Sequence, residues 1–313
     1  MRIVLIGQAP FGAATLEALL AAGEDVAAVY TPPGGSGAKQ DPLKQAALAK
    51  GIKSFEPKTF KDDRVFSEFS GLRPDLVALA FVTAIVPVRY LSAACKGAIC
   101  YHPSILPRHR GASAINWALI MGDKKTGLTV FWPDEGIDTG PILLQKEVDI
   151  RAQDTAGSLY FERLFPMGVE AIVEAVKLIR EGKAPRIEQD DSQATYEPPC
   201  DDRVANLDWK KTGRQIHNLI RGCDPQPGAY ADFRGEMVRF YGVRYVPGKI
   251  GGDIGAAPGM ITGLDLSGLR IAVRGGELVV SKVRTASAGK VDAAEWAAGA
   301  NAQPGEKFGK LSK

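Results

Sequence analysis

The chain has 313 residues, 45% hydrophobic and 24% charged, with a formal net charge of +3. That length holds two domains with a core each, and the composition excludes a disordered chain. The small positive balance permits an anionic ligand but lacks the dense basic patch of a dedicated nucleic-acid binder. Four cysteines without CxxC spacing (Cys95, Cys100, Cys200, Cys223) and only three histidines suit a reducing cytoplasm and argue against structural zinc. No apolar run approaches the roughly 18–20 residues of a membrane-spanning helix, and MRIVLIG is too short for a signal-peptide core.

The strand read over residues 2–6 (RIVLI) is a continuous apolar run after Arg2, the mark of a strand buried on both faces of a parallel sheet. After GQAPFG, a helix over 13–22 and a strand over 26–30 complete a βαβ opening. Ala9 stands where a dinucleotide fingerprint needs its second glycine, so this turn reads as a tight connection and not a nucleotide site. The glycine- and proline-rich loop 31–41 lacks the lysine-serine ending of a P-loop. Helices over 42–50 and 62–69 then alternate with strands over 53–57 and 76–81. A strand over 98–101, the loop SILPRHRG, a helix over 113–121 and strands over 126–132 and 142–148 follow. Residues 155–181 read as one or two amphipathic helices, stopped by Gly182.

This alternation implies one α/β domain over 1–188, and the polar, proline-bearing stretch 189–204 reads as a linker. Beyond it, over 205–313, a helix (212–221) precedes short strands at 229–233, 238–245, 259–262, 269–272 and 277–283, the spacing of a small β-barrel. The Ala-, Gly- and Lys-rich tail from 286 is expected to fray at its end.

The chemistry concentrates between Ile99 and Gly140. His102 ends one strand and Asp138 lies just past another, both at the rim where ligands of parallel sheets collect. A carboxylate beside an imidazole orients it and favours its charged form, which suits general acid/base work. Alone, His102 reads as a satisfied core histidine; the pairing with Asp138 gives it a catalytic reading.

At HPSILPRHRGASAINW and DEGIDTG the sequence resembles the folate-dependent formyltransferase family, which includes methionyl-tRNA formyltransferase, glycinamide ribonucleotide formyltransferase and the hydrolase domain of 10-formyltetrahydrofolate dehydrogenase. IRGCDPQPGAY and FYG extend the resemblance into the second domain. It implies a Rossmann-like formyltransferase domain with a parallel-rich sheet, followed by a small OB-like β-barrel, with 10-formyltetrahydrofolate as formyl donor and no metal. The family's catalytic asparagine, histidine and aspartate fall on Cys100, His102 and Asp138. Cys100 is a departure. In amine-accepting members the asparagine helps hold the oxygen of the tetrahedral intermediate, whereas the hydrolase domain of the dehydrogenase carries an apolar residue there. The stretch YHPSILPRHRGASAINW resembles that hydrolase branch more than the tRNA branch.

Moving a formyl group off a folate nitrogen requires an oxyanion to be stabilised, and one lost donor costs about 3–4 kcal/mol. Protonated His102 supplies such a donor, Asp138 keeps it charged and activates or relays through water, and Ser104 lies within reach. Cys100 donates poorly, which weakens amine transfer more than hydrolysis; with only His102 nearby, it does not read as a nucleophile. By the resemblance, Phe81, Val82, Thr83, Ala84, Ile85, Val86 and Pro87 wrap the pterin with main-chain and apolar contacts. Trp132, Asp134, Gly136 and Ile137 form the other wall. Core packing is the competing reading for the first wall. Arg108 and Arg110 either meet an anionic tail or brace their loop against Asp134 or Asp138, and His109 reads as a solvated loop residue.

The expected reaction is hydrolysis of 10-formyltetrahydrofolate to tetrahydrofolate and formate. Transfer to an amine, of methionyl-tRNA or an amino sugar, is the alternative. A non-catalytic folate-binding protein is disfavoured because His102 and Asp138 are intact. A tRNA partner is disfavoured because loop 32–41 is short and holds one lysine, Lys39, whereas tight RNA binding needs many phosphate contacts. In the second domain Arg234, Arg239, Arg244 and Lys249 are interleaved with acidic residues. The sequence stops where a fused aldehyde dehydrogenase domain would begin, so the expected product is free formate or a formylated acceptor.

Overall fold

The computed structural model describes residues 1–35, 39–248, 256–265, 268–287 and 289–310. Lys249 and the middle of loop 31–41 lie outside the described residues. The chain forms two compact units that are not contiguous in sequence: 1–111, 127–148 and 161–196 make the first, and 112–126, 149–160 and 197–313 the second. The stretch expected as a linker from 189 therefore belongs to the first unit as far as Tyr196.

In the first unit β1 (Arg2–Gly7) buries alternate side chains on opposite faces. Ile3 and Leu5 join one core layer with Leu16 and Val176, while Val4 and Ile6 join the other with Phe69 and Tyr90. This two-sided burial explains the uninterrupted apolar run. α1 (Ala9–Ala21) begins four residues before the expected start at 13. Pro10 sits in its first turn, where a missing N–H costs nothing, and Asp41 accepts the Ala9 N–H at 2.9 Å.

β2 (Asp25–Tyr30), α2 (Pro42–Ala49), β3 (Lys53–Phe55), α3 (Asp63–Gly71) and β4 (Leu76–Ala80) follow, then the one-turn α4 (Val88–Leu91) and β5 (Ala98–His102). After α5 (Ala114–Met121) of the second unit come β6 (Lys125–Phe131) and β7 (Ile142–Asp149), then α6 (Ala156–Leu159) and α7 (Phe165–Arg180).

The seven strands lie in the order β3-β2-β1-β4-β5-β6-β7. β1 to β5 pair in parallel, and β6 runs antiparallel to β5 with His102 opposite Thr129. The strand order reverses direction between β1 and β4, which makes that rim the topological switch point of the sheet.

In the second unit α8 (Asp202–Ala205) and α9 (Gly213–Cys223) precede an antiparallel sheet of β8 (Tyr230–Phe233), β9 (Glu236–Pro247), β10 (Ile261–Asp265), β11 (Gly268–Val273), β12 (Gly276–Arg284) and β13 (Lys290–Asp292), followed by α10 (Ala293–Gly299). Its order is β10-β11-β12-β9-β8, with β13 on β12. α9 starts with a capping box between Thr212 and Gln215, a signal written locally in the sequence.

The tail is paired into the sheet as far as Gly309, and residues 311–313, the end expected to fray, lie outside the described residues. Gly309 exchanges two backbone hydrogen bonds with Asp232 of β8 (2.8 and 3.1 Å). Glu306 accepts from Ile261 of β10 (2.7 Å), and Phe308 donates to Gly259 (2.9 Å). Residues 305–309 thus bridge the two edge strands and close the barrel. Phe308 is fully buried, its ring 5.0 Å from Phe233 and 5.2 Å from Phe240.

His217 on α9 is buried and donates Nε2–H to the Val243 carbonyl at 3.2 Å. Burial, reinforced by Arg221, pulls its pKa from 6.5 down to about 4. The fold therefore favours neutral His217, and this contribution is present above pH 6.5 and lost as the pH falls from there toward 4. His217→Gln keeps the donor and cannot charge. In urea titrations at pH 7 and pH 4.5, the wild-type protein is expected to lose more stability than this variant; equal losses would remove His217 from the acid response.

Candidate active site

β5 ends at His102, which is 6% exposed. Its Nε2 lies 2.8 Å from the His109 carbonyl, and its Nδ1 lies 3.4 Å from Asp138 Oδ2. A carbonyl only accepts, so Nε2 carries a hydrogen. With a second proton on Nδ1, the ring becomes a cation facing a carboxylate. Asp138 stands in the left-handed region, φ 57°, and its Oδ2 also accepts the Gly111 N–H at 2.7 Å. The two residues that the sequence places at separate strand ends are therefore in contact.

Cys100 sits two residues before His102, and burial together with the Asp138 charge pushes its thiol pKa up. It is a neutral thiol, not an activated nucleophile.

The loop after β5 is held at many points. Thr129 donates to the Ser104 carbonyl (2.7 Å) and accepts from Leu106 N–H (3.1 Å), and Gln145 donates to the Leu106 carbonyl (2.8 Å). The Ser104 hydroxyl, expected within reach of the reaction, is fully buried and donates to the Arg108 carbonyl at 2.7 Å. His109 is not solvated: it is 4% exposed, with φ 57°. Arg110, offered above to an anionic tail or to Asp134 or Asp138, is 2% exposed and bonds instead to Gln189, Asp191 and Tyr196. Arg108 is the exposed member of the pair.

The loop of Asp138 is equally fixed. Asp134 Oδ1 accepts from Gly136 N–H (3.0 Å) and the Thr139 hydroxyl (2.6 Å). A Cβ on Gly140 would run into the Trp132 carbonyl, so the last glycine of the Asp-Thr-Gly turn is required by close backbone approach. The Trp132 ring is not a free wall. It is buried under Arg186 (4.0 Å), with Nε1–H donated to the Pro185 carbonyl at 2.9 Å. Ile137 is the exposed apolar residue of that loop, at 63%.

On the other side of β5, the chain leaving β4 exposes Phe81 and Ile85, and Phe81 holds φ 61°. Such a φ is uncommon for a bulky residue and marks a locally strained turn. Val82, Thr83 and Ala84 complete the lining from this turn, while Val86 packs against the core with Leu79. The turn borders a cavity of about 330 Å³ at the β1/β4 switch point, lined also by Gly7, Gln8, Thr31, Lys58 and Lys61. Small ligands bind in such crevices.

Gln189, Asp191, Tyr196 and Thr195, whose hydroxyl accepts the His109 N–H at 2.8 Å, carried no signal in the sequence, being polar residues without periodicity. Among the described residues, no group of three His, Cys, Asp or Glu gathers to hold a metal ion, and no helix is long and apolar enough to cross a membrane.

Residues 1–176 match the formyl transferase family, and residues 201–301 match the formyl transferase C-terminal domain. The mitochondrial 10-formyltetrahydrofolate dehydrogenase of Mus musculus is 44% identical over 275 residues, covering 84% of this chain and 30% of that protein. The chain thus spans under a third of that relative's length. Methionyl-tRNA formyltransferase of Acetivibrio thermocellus is 34% identical over 314 residues, covering 99% of this chain and 100% of that protein. Among solved structures, HypX from Aquifex aeolicus in complex with tetrahydrofolic acid superposes with TM-score 0.66 at 17% identity, over 100% of this chain and 51% of that one. WlaRD, a sugar 3N-formyl transferase, gives 0.67 at 18%, over 92% and 98%. The two domain matches and the full-length relative establish that the chain belongs to the formyl transferase family of enzymes.

Proposed function

We propose that this enzyme removes the formyl group of 10-formyltetrahydrofolate, hydrolysing it to tetrahydrofolate and formate in the cytoplasm. The observation that carries the reading is the His102–Asp138 contact, with a neutral thiol at position 100 in place of a strong hydrogen-bond donor. In the proposed mechanism the Asp138 carboxylate takes a proton from water as its oxygen attacks the formyl carbon. His102, whose Nε2–H is held by the His109 carbonyl, shares its Nδ1–H between Asp138 and the negative oxygen of the tetrahedral intermediate. Collapse breaks the bond to the folate nitrogen, which takes up the proton that Asp138 removed from water, and formic acid leaves and ionises to formate. The exposed turn at 81–85 and the loop at 134–137 are proposed to flank the folate through Phe81, Ile85 and Ile137.

A second reading, transfer to an amine, draws on two observations. The relative matched over its whole length is a methionyl-tRNA formyltransferase. The switch-point cavity, with Lys58 and Lys61 in its lining, is far larger than water needs and suits a second, anionic substrate.

Incubation with 10-formyltetrahydrofolate alone separates the readings. Release of tetrahydrofolate without an acceptor supports hydrolysis, and turnover only on adding methionyl initiator tRNA or an amino sugar supports transfer. Cys100→Asn restores an amide donor beside the reacting oxygen. It is expected to raise the ratio of amine transfer to hydrolysis about tenfold or more, and an unchanged ratio would remove position 100 from the choice of acceptor.

A further inference from the structure

We infer that Gln189 is a positioning residue, which with Arg110 fixes the Asp138 carboxylate against His102. Three consecutive residues surround the pair. The His109 carbonyl accepts from His102, the Gly111 N–H donates to Asp138, and the Arg110 side chain between them reaches the Asp138 loop through Gln189.

The route is given by register. Ile142 and Ile187 exchange both backbone hydrogen bonds in antiparallel fashion (2.7 and 3.0 Å), which sets Gln189 opposite Gly140. There Gln189 Nε2 donates to the carbonyls of Asp138 (2.9 Å) and Gly140 (2.7 Å). Its Oε1 accepts from Arg110 Nε (3.1 Å) and Nη2 (2.8 Å).

This amide admits one orientation. Arginine only donates and carbonyls only accept, so the oxygen must face Arg110 and the NH₂ must face the loop. All four of its hydrogen-bonding positions are filled. Arg110 is in turn held by Asp191 (2.6 Å) and the Tyr196 hydroxyl (2.8 Å), with its guanidinium 5.4 Å from the Tyr196 ring. The Asp138 backbone, itself at positive φ, is thus gripped at its carbonyl while its side chain is gripped by Gly111. A carboxylate 3.4 Å from an imidazole tolerates little drift, since a displacement of about 1 Å can cost on the order of a hundredfold in rate.

The inference rests on the proposed deformylation, and the test separates the two. Gln189→Glu keeps an acceptor for Arg110 and removes both donors to the loop; Gln189→Ala removes both functions. With 10-formyltetrahydrofolate as substrate, each variant is expected to lower kcat about ten- to a hundredfold with little change in KM. In the Asp138→Asn background, Gln189→Ala is expected to add no further loss, because the group it positions is gone.

The second readout needs no turnover. The ¹⁵N resonance of His102 Nδ1 is expected to move in Gln189→Glu while the barrel's His217 resonances stay in place. Wild-type kcat in both variants, or an unmoved His102 resonance in a folded variant, overturns the positioning role. A wild-type enzyme that leaves 10-formyltetrahydrofolate untouched, with or without acceptor, overturns the proposed function alone, and the resonance still decides Gln189.

Discussion

Asp138→Asn is expected to lower turnover of 10-formyltetrahydrofolate about a thousandfold while folate binding changes little. The substitution is nearly isosteric, and its amide oxygen can still accept the Gly111 N–H that Asp138 Oδ2 accepts at 2.7 Å. The opposite amide orientation would place two donors face to face. Geometry is therefore kept, and what is lost is the negative charge facing the His102 ring and the group that takes a proton from water. Steady-state kinetics and folate titration by fluorescence quenching check both halves. Wild-type rates would exclude Asp138 from the chemistry, and an equal loss of binding would make it a binding residue.

Phe308→Ala is expected to destabilise the second unit by about 3–5 kcal/mol, the range for truncating a fully buried aromatic. That is a large share of the roughly 5–15 kcal/mol that holds a domain folded. Phe308 is 0% exposed and packs among Phe233, Phe240, Trp209 and Trp296, while its neighbours carry the hydrogen bonds that close the barrel. Trp209 and Trp296 lie 6.2 and 6.1 Å from its ring, so tryptophan fluorescence in a urea titration reports the transition directly. A loss below about 0.5 kcal/mol, the size of a surface change, would mean the segment is peripheral after all.

The difference between residue 308 and residue 102 shows what the sequence discloses. Strands of the first unit were legible because burial on both faces writes unbroken runs such as Ile3–Ile6, and α9 because its capping box is local. His102 was legible because it ends such a strand, and Asp138 because it lies in the DEGIDTG stretch between two strands. The pairing of residues 305–309 was not legible because the composition there is that of a solvated end, and only partners about 45 and 77 residues earlier, Ile261 and Asp232, give it order. Gln189 and the inward turn of Arg110 were hidden for the same reason. Their meaning lies in a register between β7 and a segment without periodicity, and in a charge whose partner, Asp191, is about 80 residues away. Ser104 and Trp132 show the reverse error: residues of the right type in the right segment, whose polar atoms are already bonded to the scaffold.

The interleaving of the two units bears on how the protein is made. α5 lies in the second unit, where Asn116 donates to the Gly222 carbonyl of α9 at 2.7 Å, and Ile120 packs on the core that α9 helps to form. α9 leaves the ribosome about 100 residues after α5, a delay of roughly 5–20 s at ordinary elongation rates. During that interval α5 lacks the helix on which it packs most extensively, so the core of the second unit is completed only once α9 has emerged.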